Sequence, residues 1–429
     1  MFKLPKSNSE FYRNTFILII GTVAAQSIPI LLQLVLRRIY SPEDFGAMAI
    51  YLTLFSILTI VFSLRYESAI MLPGNNHIAA NILVLTFLLN IVFSIVLFIS
   101  IFLFRDQIAF LVNFPEKYSV YLFLLPPACM GFSLSQSVNY WLIRQKAFKA
   151  SANNKVIRRG AEGLVQTGTE FLKIHGGLFL GDLAGNVANA LFGVQQVLKN
   201  NFKLKFVSRK KVLYAFKRYA NFPKHNLIPT FLSSAAAVLP FLFINKFYST
   251  ETVGYLDLAR MVLSIPLAFI AVTISQVFFQ QTTEKKNKSL SIIRDMQDIL
   301  LVLLAIVFIE MLLIFLWGPA LFGFIFGNRY ELSGYFSQIL VFSFSLNFIS
   351  AAFSSVFITF EKIRLNSIWQ IAYFLVICSL VFFKNLSIND FLKVYVLLEV
   401  IMHTISFALI YYIAAKYEKN RQQKSDAQI

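Results

Sequence analysis

Long apolar runs constrain the fold of this chain more than any other feature. Twelve stretches of mainly apolar residues follow one another, and each has about the length of 20 residues that an α-helix needs to cross a bilayer. They lie at 14–36, 45–64, 79–104, 119–143, 156–174, 176–198, 227–246, 254–279, 298–317, 332–358, 366–383 and 392–415. The fifth and sixth are the weakest, because charged residues and glycines interrupt them. We therefore expect an all-α polytopic membrane protein.

The composition supports a membrane protein. Apolar residues make up 57% of the chain and charged residues only 14%, whereas a soluble globular chain carries about 25% charge. The first run follows Lys3, Lys6 and Arg13, as in a signal peptide, but it is too long for the apolar core of such a peptide. We interpret it as a retained first span.

The net charge of +18 is unevenly distributed. If the spans alternate in direction, 29 of the 39 Lys and Arg lie on the side of the N-terminus and 9 on the other side, while Arg260 alone lies well within a span. Such a bias in short loops is what the positive-inside rule predicts. We expect both termini in the cytoplasm, and a basic linker at 199–226 that is attracted to membrane lipids rather than to nucleic acid.

Motifs for metal, nucleotide or disulfide chemistry are absent from the sequence. Cys129 and Cys378 both lie inside apolar runs without a CxxC spacing. The sequence contains no Walker A motif, GxGxxG or HExxH. We therefore expect no cofactor, no metal site and no catalytic residues, which is to say a protein that is not an enzyme.

A short motif occurs twice. The sequence YSPEDFG at 40–46 has a counterpart, YSTETVG, at 248–254, and each lies between two apolar runs. We expect Tyr and Ser to end one helix and Ser or Thr with Glu to cap the next. A shift of six spans preserves orientation, so the two halves are predicted to be parallel repeats: a bundle at 1–198, the linker at 199–226, a second bundle at 227–415 and a tail at 416–429.

Several stretches in this order resemble one family. They are RIYSPEDFG at 38–46, RYESAIMLP at 65–73, FPKHN at 222–226, GYLDLAR at 254–260, SQVFF at 275–279 and GLFLGDLAG at 177–185. The chain is similar to the polysaccharide flippases of the multidrug, oligosaccharidyl-lipid and polysaccharide exporter superfamily, in particular their O-antigen and capsule-repeat (Wzx-like) branch. The resemblance implies twelve helices in two six-helix bundles around a V-shaped cavity. It also implies a short oligosaccharide on a polyprenyl pyrophosphate as substrate, moved from the cytoplasmic to the periplasmic leaflet.

Such a substrate needs cations in or at the mouth of a wet cavity. Arg260 lies about six residues into the eighth span with Asp257 one turn away, and is either an anion contact or a static ion pair. Further cations and their neighbours end or begin spans on the cytoplasmic side, where they form either a ring around the mouth of the cavity or ordinary membrane anchors. They are Arg65, Glu67, Arg158, Arg159, Lys224 and His225.

Coupling to a proton or sodium gradient needs a group that changes charge. Glu310 in the ninth span, and Glu399 with His403 in the twelfth, lie near the middle of the membrane. Glu399 and His403 are four residues apart on one helical face, so they can share a proton or form a hydrogen bond that only joins helices.

Three other functions remain open at this point. A multidrug or cation antiporter of the same superfamily is expected to carry an acidic site in its first helix, but 14–36 holds no Asp or Glu. A flippase for lipid-linked peptidoglycan precursor needs the same cationic cavity, and usually has extra helices after the twelfth. A membrane polymerase or glycosyltransferase generally needs a large outward loop, and the longest such segment here is near 105–118.

Overall fold

The computed structural model describes residues 31–426, apart from the side chains of 221, 225, 226, 229, 269, 272, 273, 276, 280, 287 and 424–426. Most of the predicted first span lies outside the described residues, as do both ends of the chain.

Long helices account for nearly all of the described chain. They are α1 (31–39, its described part), α2 (Pro42–Phe62), α3 (Asn76–Val112), α4 (Leu125–Arg144), α5 (Phe148–Phe171), α6 (Gly177–Lys199), α7 (Arg209–Arg218), α8 (Asn221–Phe247), α9 (Thr250–Asn287), α10 (Ile293–Phe326), α11 (Glu331–Phe353), α12 (Ser355–Thr359), α13 (Ile363–Cys378) and α14 (Ile388–Asp426). Short 3₁₀ helices precede or follow several of them.

The predicted spans correspond to helices. The last six residues of the first predicted span lie in α1, and the other eleven correspond to α2–α6, α8–α11, α13 and α14. Within 31–426, nine helices are long and apolar enough to cross a membrane. The helix α5 is not one of them, because its charged residues interrupt the apolar run. The protein is a multi-pass membrane protein.

The chain divides into two compact units. Unit 1 runs from Met1 to Ser234 and unit 2 from Ala235 to Ile429, so the division lies inside α8. In unit 1, α6 packs along both α4 and α5. In unit 2, α11 packs against α9, α10 and α14, and a core that includes Phe353 and Ile410 joins them.

The serine of the duplicated motif caps a helix in each unit, as predicted, but the expected glutamates take no part: Asp44 completes the cap in unit 1, and Glu251 accepts from the Tyr255 hydroxyl in unit 2. The Ser41 hydroxyl accepts a hydrogen bond from the Asp44 N–H at 3.2 Å, while the Asp44 carboxylate accepts one from the Ser41 N–H at 2.8 Å. In unit 2, the Ser249 hydroxyl accepts from the Thr252 N–H at 3.0 Å. These contacts satisfy N–H groups that the first turn of a helix leaves unpaired, so each Ser begins a helix.

The tyrosines of the duplicated motif also have matching roles. The Tyr40 hydroxyl donates to the carbonyl oxygen of Gln166 in α5 at 2.8 Å, and the Tyr248 hydroxyl donates to the carbonyl oxygen of Leu386 at 2.9 Å. Each tyrosine follows the end of a helix and ties that end to a segment more than 120 residues later in the same unit. The repeat therefore serves the architecture of both units.

Candidate functional site

A polar cavity of about 300 Å³ lies in unit 1 between α4, α5 and α6. We call it the α4–α5–α6 cavity. Three cations of α5 line it, together with amides from all three helices, hydroxyls from α4 and α5, and one aromatic ring. The lining residues are Phe132, Ser135, Gln136, Asn139, Ser151, Asn154, Lys155, Arg158, Arg159 and Asn189.

The cations lie well inside α5 because this helix starts earlier than predicted. The sequence predicted a span from 156, with Arg158 and Arg159 at its start, but α5 begins at Phe148. Arg158 is therefore ten residues after Phe148, which is about 15 Å along a helix. The apolar run does not reveal the first turns of α5, because these turns are polar.

Glycines of α6 bring α5 into close contact at this place. Gly181 and Gly185 are four residues apart, the spacing of small residues that lets two membrane helices approach closely. A Cβ atom at Gly185 would lie 2.8 Å from the carbonyl oxygen of Arg158, and one at Gly181 would lie 2.8 Å from the carbonyl oxygen of Glu162. Neither position has room for a larger residue, so the glycines set how α6 meets the cationic part of α5.

Two carboxylates lie beside the three cations. Arg159 forms an ion pair with Glu162 at 2.8 Å, and the Nη2 atom of Arg158 lies 4.0 Å from the Oδ1 atom of Asp182 in α6. The guanidinium of Arg158 also lies over the ring of Phe132, 5.0 Å from its centroid. Among the described residues at this place, three cations thus accompany two carboxylates.

Several buried polar atoms around Arg158 have no hydrogen-bond partner among the described residues. They are the Nε atom of Arg158 and one side-chain oxygen each of Asp182, Asn154 and Asn186. Asp182 is only 2% exposed and Asn186 is fully buried. Leaving such atoms unpaired costs about 1–3 kcal/mol each, so this region has unused capacity for hydrogen bonds with a polar ligand.

Glu399 and His403, the ionisable pair predicted in the last span, form a compact polar cluster in unit 2. The Nε2 atom of His403 lies 3.0 Å from the Oε2 atom of Glu399, as their spacing in α14 predicted. The Tyr373 hydroxyl of α13 donates to the other Glu399 oxygen at 2.5 Å, and the Ser350 hydroxyl of α11 lies 3.4 Å from the Nδ1 atom of His403. Trp369 stacks on Tyr373. Three helices of unit 2 therefore meet at one carboxylate and one imidazole.

Glu310 has fewer polar contacts than the Glu399–His403 cluster. It lies near the middle of α10, half-buried, and its Oε2 atom has no partner in the part of the chain that the structure describes. Among those residues, no three His, Cys, Asp or Glu side chains come together in a group that could hold a metal ion.

Arg260 and Asp257 lie in α9, one turn apart. The Nη2 atom of Arg260 is 3.9 Å from the Oδ1 atom of Asp257, and its guanidinium lies over the ring of Phe241 at 4.5 Å. The side chain of Arg260 is 42% exposed. This is a loose pair on one helix, and it does not line the α4–α5–α6 cavity.

Arg65, Glu67 and Lys224 do not line that cavity. Arg65 follows α2 in a left-handed conformation with φ of 64°, and its Nη1 atom contacts the Oε1 atom of Glu67 at 3.2 Å. Glu67 is nearly buried and also accepts from the Ser63 hydroxyl, so these two residues hold the turn after α2. Lys224 is exposed in α8, and the side chain of His225 lies outside the described part.

Most residues that line the α4–α5–α6 cavity were not predicted from the sequence. Asn154 and Lys155 lie one turn before Arg158 and Arg159, and Gln136 and Asn139 are three residues apart in α4. A polar face at the 3.6-residue period of a helix is a signal that could have identified them. Asp182, the neighbour of Arg158, and the lining residue Asn189 come from α6. No local sequence pattern connects these two residues to α5.

Comparison with known proteins places the chain in a family. A family model described as polysaccharide biosynthesis protein matches residues 35–333. The succinoglycan biosynthesis transport protein ExoT of Rhizobium meliloti (strain 1021) is 22% identical over 246 residues, which are 57% of this chain and 48% of that protein. The chain thus spans about half the length of this curated relative.

Solved structures share the fold. An inward-facing multidrug resistance MATE family transporter of the MOP superfamily matches with a TM-score of 0.73 at 14% identity, over 92% of this chain and 96% of that chain. The lipid II flippase MurJ in an inward closed conformation matches with a TM-score of 0.71 at 15% identity, over 94% and 91%. The predicted class of twelve helices in two bundles is confirmed, whereas the V-shaped cavity stays a prediction. Because the family model covers more than half of the chain, this protein belongs to the polysaccharide biosynthesis protein family.

Proposed function

We propose that this protein is a transporter that flips an anionic polyprenyl-pyrophosphate-linked oligosaccharide, such as an O-antigen or capsule repeat unit, across the membrane. The single observation that carries the proposal is the α4–α5–α6 cavity, where three cations and several amides lie between three packed helices of unit 1. Membership of a polysaccharide biosynthesis family supports this class of substrate.

A pyrophosphate is the part of this substrate that lipid excludes most strongly, since a charge is costly to move into hydrocarbon. Arg158 and Arg159 supply guanidinium groups that can bind phosphate oxygens in a bidentate manner, and Lys155 adds a point charge. The amides of Gln136 and Asn139 can bind sugar hydroxyls. The polyprenyl tail can stay in the bilayer while the head group occupies the cavity.

Asp182 gives Arg158 a partner when no substrate is bound. An isolated buried charge is unfavourable, and an opposite charge nearby reduces the cost. At 4.0 Å the pair is longer than a direct hydrogen bond, and the Nε atom of Arg158 has no partner among the described residues. An incoming phosphate can therefore bind Arg158 without first breaking a short ion pair.

The polar cluster of unit 2 is our candidate for ion coupling. Glu399 and His403 can exchange a proton within one short contact, and changing their charge would alter the hydrogen bonds that join α14 to α11 and α13. A proton is the coupling ion that these two groups favour, with Glu310 as a second candidate in α10. Sodium remains the alternative ion.

The charge distribution supports the orientation of the chain. The excess of Lys and Arg on the side of the N-terminus favours cytoplasmic termini in a bacterial inner membrane. The direction of transport, from the cytoplasmic to the periplasmic leaflet by alternating access, is what the resemblance to polysaccharide flippases implies.

Reconstitution into proteoliposomes tests the proposed function. The assay measures the fraction of a labelled polyprenyl-pyrophosphate oligosaccharide that becomes accessible on the opposite leaflet. We expect the protein to accelerate this movement, and to leave an oligosaccharide on a neutral lipid without pyrophosphate unmoved. Equal rates for the two lipids would contradict the proposal. Faster movement of a lipid-linked peptidoglycan precursor in the same assay would instead support the rival flippase function.

A further inference from the structure

The segment that joins α6 to α8 is the most basic part of the chain. Between Asp182 and Glu251 there is no Asp or Glu, while the same stretch holds ten Lys and Arg. Seven of these cations are exposed on or just before α7, and we call them the basic platform. Its members are Lys203, Lys205, Arg209, Lys210, Lys211, Lys217 and Arg218.

This segment is folded against unit 1 rather than being an open loop. Asn81 at the start of α3 donates to the carbonyl oxygen of Phe206 at 2.8 Å and accepts from the Ser208 N–H at 3.0 Å. The indole of Trp141 donates to the carbonyl oxygen of Asn200 at 2.9 Å. Ser208 in turn caps α7, because its hydroxyl accepts from the Lys211 N–H at 3.3 Å.

One side of the helix α7 is buried against the rest of unit 1. Ala215 is fully buried in a core cluster with Tyr66, whose hydroxyl donates to the carbonyl oxygen of Phe216 at 2.8 Å. Burial raises the pKa of the Tyr66 hydroxyl, which keeps it protonated as a donor. The basic platform is thus fixed in orientation before any partner binds.

The position of α7 is set by the ends of membrane helices. It contacts the first residues of α3, and the segment before it contacts the last residues of α4 and α6. The helix α8 begins three residues after α7 ends. Since α3, α4 and α6 meet α7 where they enter or leave the apolar region, α7 lies at the boundary between membrane and water.

The exposed surface of α7 is amphipathic. Leu213 is 54% exposed and Phe216 is 42% exposed, and residues three apart share one face of a helix. Lys210, Lys217 and Arg209 flank these two apolar side chains on the helix. Basic residues around exposed apolar side chains are the pattern of helices that lie in the interface of an anionic membrane.

We propose that the basic platform and the apolar pair Leu213 and Phe216 form a preformed binding site for anionic phospholipid head groups. The occupant is a lipid of the surrounding leaflet, because α7 lies at its surface and presents seven cations without an acidic residue in the segment. This site is separate from the α4–α5–α6 cavity, and the inference does not depend on the transported substrate.

Another basic segment of the chain provides a matched control. Lys285 and Lys286 lie in the last turn of α9, and Lys288 directly follows it. Each has an acidic neighbour: Asp295 at 2.5 Å, Glu361 at 3.9 Å and Glu284 at 2.6 Å, respectively. Their charge is locally neutralised, so their loss should matter little to anionic lipid.

The experiment compares full-length protein in nanodiscs of phosphatidylcholine with and without phosphatidylglycerol. Retained phosphatidylglycerol is measured by native mass spectrometry, and the unfolding temperature is measured in both lipids. Each cation near an anionic surface contributes about fivefold in binding. The triple variant Lys210→Gln, Lys211→Gln, Lys217→Gln should therefore weaken phosphatidylglycerol retention roughly 100-fold, and lose the stabilisation that this lipid gives.

The control is the triple variant Lys285→Gln, Lys286→Gln, Lys288→Gln. It should retain phosphatidylglycerol and be stabilised by it as the wild type is. In phosphatidylcholine alone, both triple variants should unfold at the same temperature as the wild type. If the platform variant retains phosphatidylglycerol as the wild type does, the proposal is overturned and an acidic protein surface becomes the better occupant. An equal loss in both triples would also overturn it, because the effect would then follow net charge and not this site.

Discussion

Unit 1 and unit 2 each bury ionisable side chains among membrane helices, and they satisfy them differently. In unit 1, Arg158 and Asp182 lie 4.0 Å apart, and buried atoms of both lack hydrogen-bond partners among the described residues. In unit 2, both oxygens of Glu399 and both nitrogens of His403 have contacts within 3.4 Å. The first arrangement suits binding of an outside ligand, and the second suits holding a proton inside a closed network.

Removing the guanidinium of Arg158 in unit 1 should have the largest effect on transport. Arg158→Gln is expected to slow transport of the pyrophosphate-linked substrate about 100-fold, since hydrogen bonds to a charged group contribute up to about 3 kcal/mol. Arg158→Lys should retain part of the activity because it keeps the charge. Transport in proteoliposomes measures the effect, and Lys384→Gln, at an exposed position after α13, should leave it unchanged.

Loss of Arg158 also leaves Asp182 buried without its partner, which typically costs about 3–5 kcal/mol of stability. The double variant Arg158→Gln, Asp182→Asn removes both charges and should recover the unfolding temperature without recovering transport. Recovery of transport in the double variant would mean that Arg158 serves only to neutralise Asp182.

Disturbing the contact between α5 and α6 should have the next largest effect. In Gly185→Ala the new Cβ would lie 2.8 Å from the backbone oxygen of Arg158, and such overpacking typically costs about 1–3 kcal/mol. We expect a lower unfolding temperature and a smaller fraction of active protein.

Gly168→Ala in α5 is the matched control, because a Cβ there would meet no atom within 4 Å. This variant should be as stable as the wild type or slightly more stable, since Ala favours a helix over Gly by about 1 kcal/mol. Equal destabilisation by the two substitutions would show that close approach at Gly185 is unimportant.

Variants of the Glu399–His403 cluster in unit 2 should change the transport rate less, and should change how that rate depends on pH. Glu399→Gln keeps a hydrogen-bond acceptor for Tyr373 but cannot take up a proton, so transport should lose most of its pH dependence with a loss of stability of about 1 kcal/mol. His403→Gln should have the same consequence. The pH profile of transport and the unfolding temperature are the two measurements, and an unaltered profile in both variants would leave the cluster with a purely structural role.

The smallest effect is expected at Arg260. Its side chain is 42% exposed and its pair with Asp257 is loose, so we expect a secondary contact for the anion rather than the principal one. Arg260→Ala should slow transport only about fivefold, equivalent to about 1 kcal/mol, and Arg260→Lys less. If Arg260→Ala slowed transport as much as Arg158→Gln does, Arg260 would be a principal anion contact, and the cavity of unit 1 would not be the more important region.

The positions of the helices could be predicted well because bilayer thickness dictates the length of an apolar run. The caps at Ser41 and Ser249 were also predictable, since a cap is a local contact within three residues. The start of α5 was not predictable from apolar runs, because the polar residues that form the cavity hide its first turns. In this case the residues that we propose to bind the substrate obscured the start of the helix.

Contacts between helices explain the rest of what the sequence did not reveal. The spacing of Glu399 and His403 predicts their contact, but nothing local indicates that Tyr373 and Ser350 join them. Likewise Arg158 was a candidate from its charge and its place at the start of a predicted span, but no local pattern shows that Asp182 is its neighbour. Close contacts at Gly181 and Gly185 set how α6 packs against α5. Register between helices depends on shape at single residues, which the pattern of apolar and polar residues does not encode.

The most direct test of our account is the binding of a polyprenyl pyrophosphate to the purified protein, measured by native mass spectrometry or calorimetry. The wild type is compared with the double variant Arg158→Gln, Asp182→Asn, which removes the central cation and its counter-charge together. We predict that the double variant folds normally and binds about 100-fold more weakly. Equal affinity of the two proteins would contradict the α4–α5–α6 cavity as the site of the anionic head group.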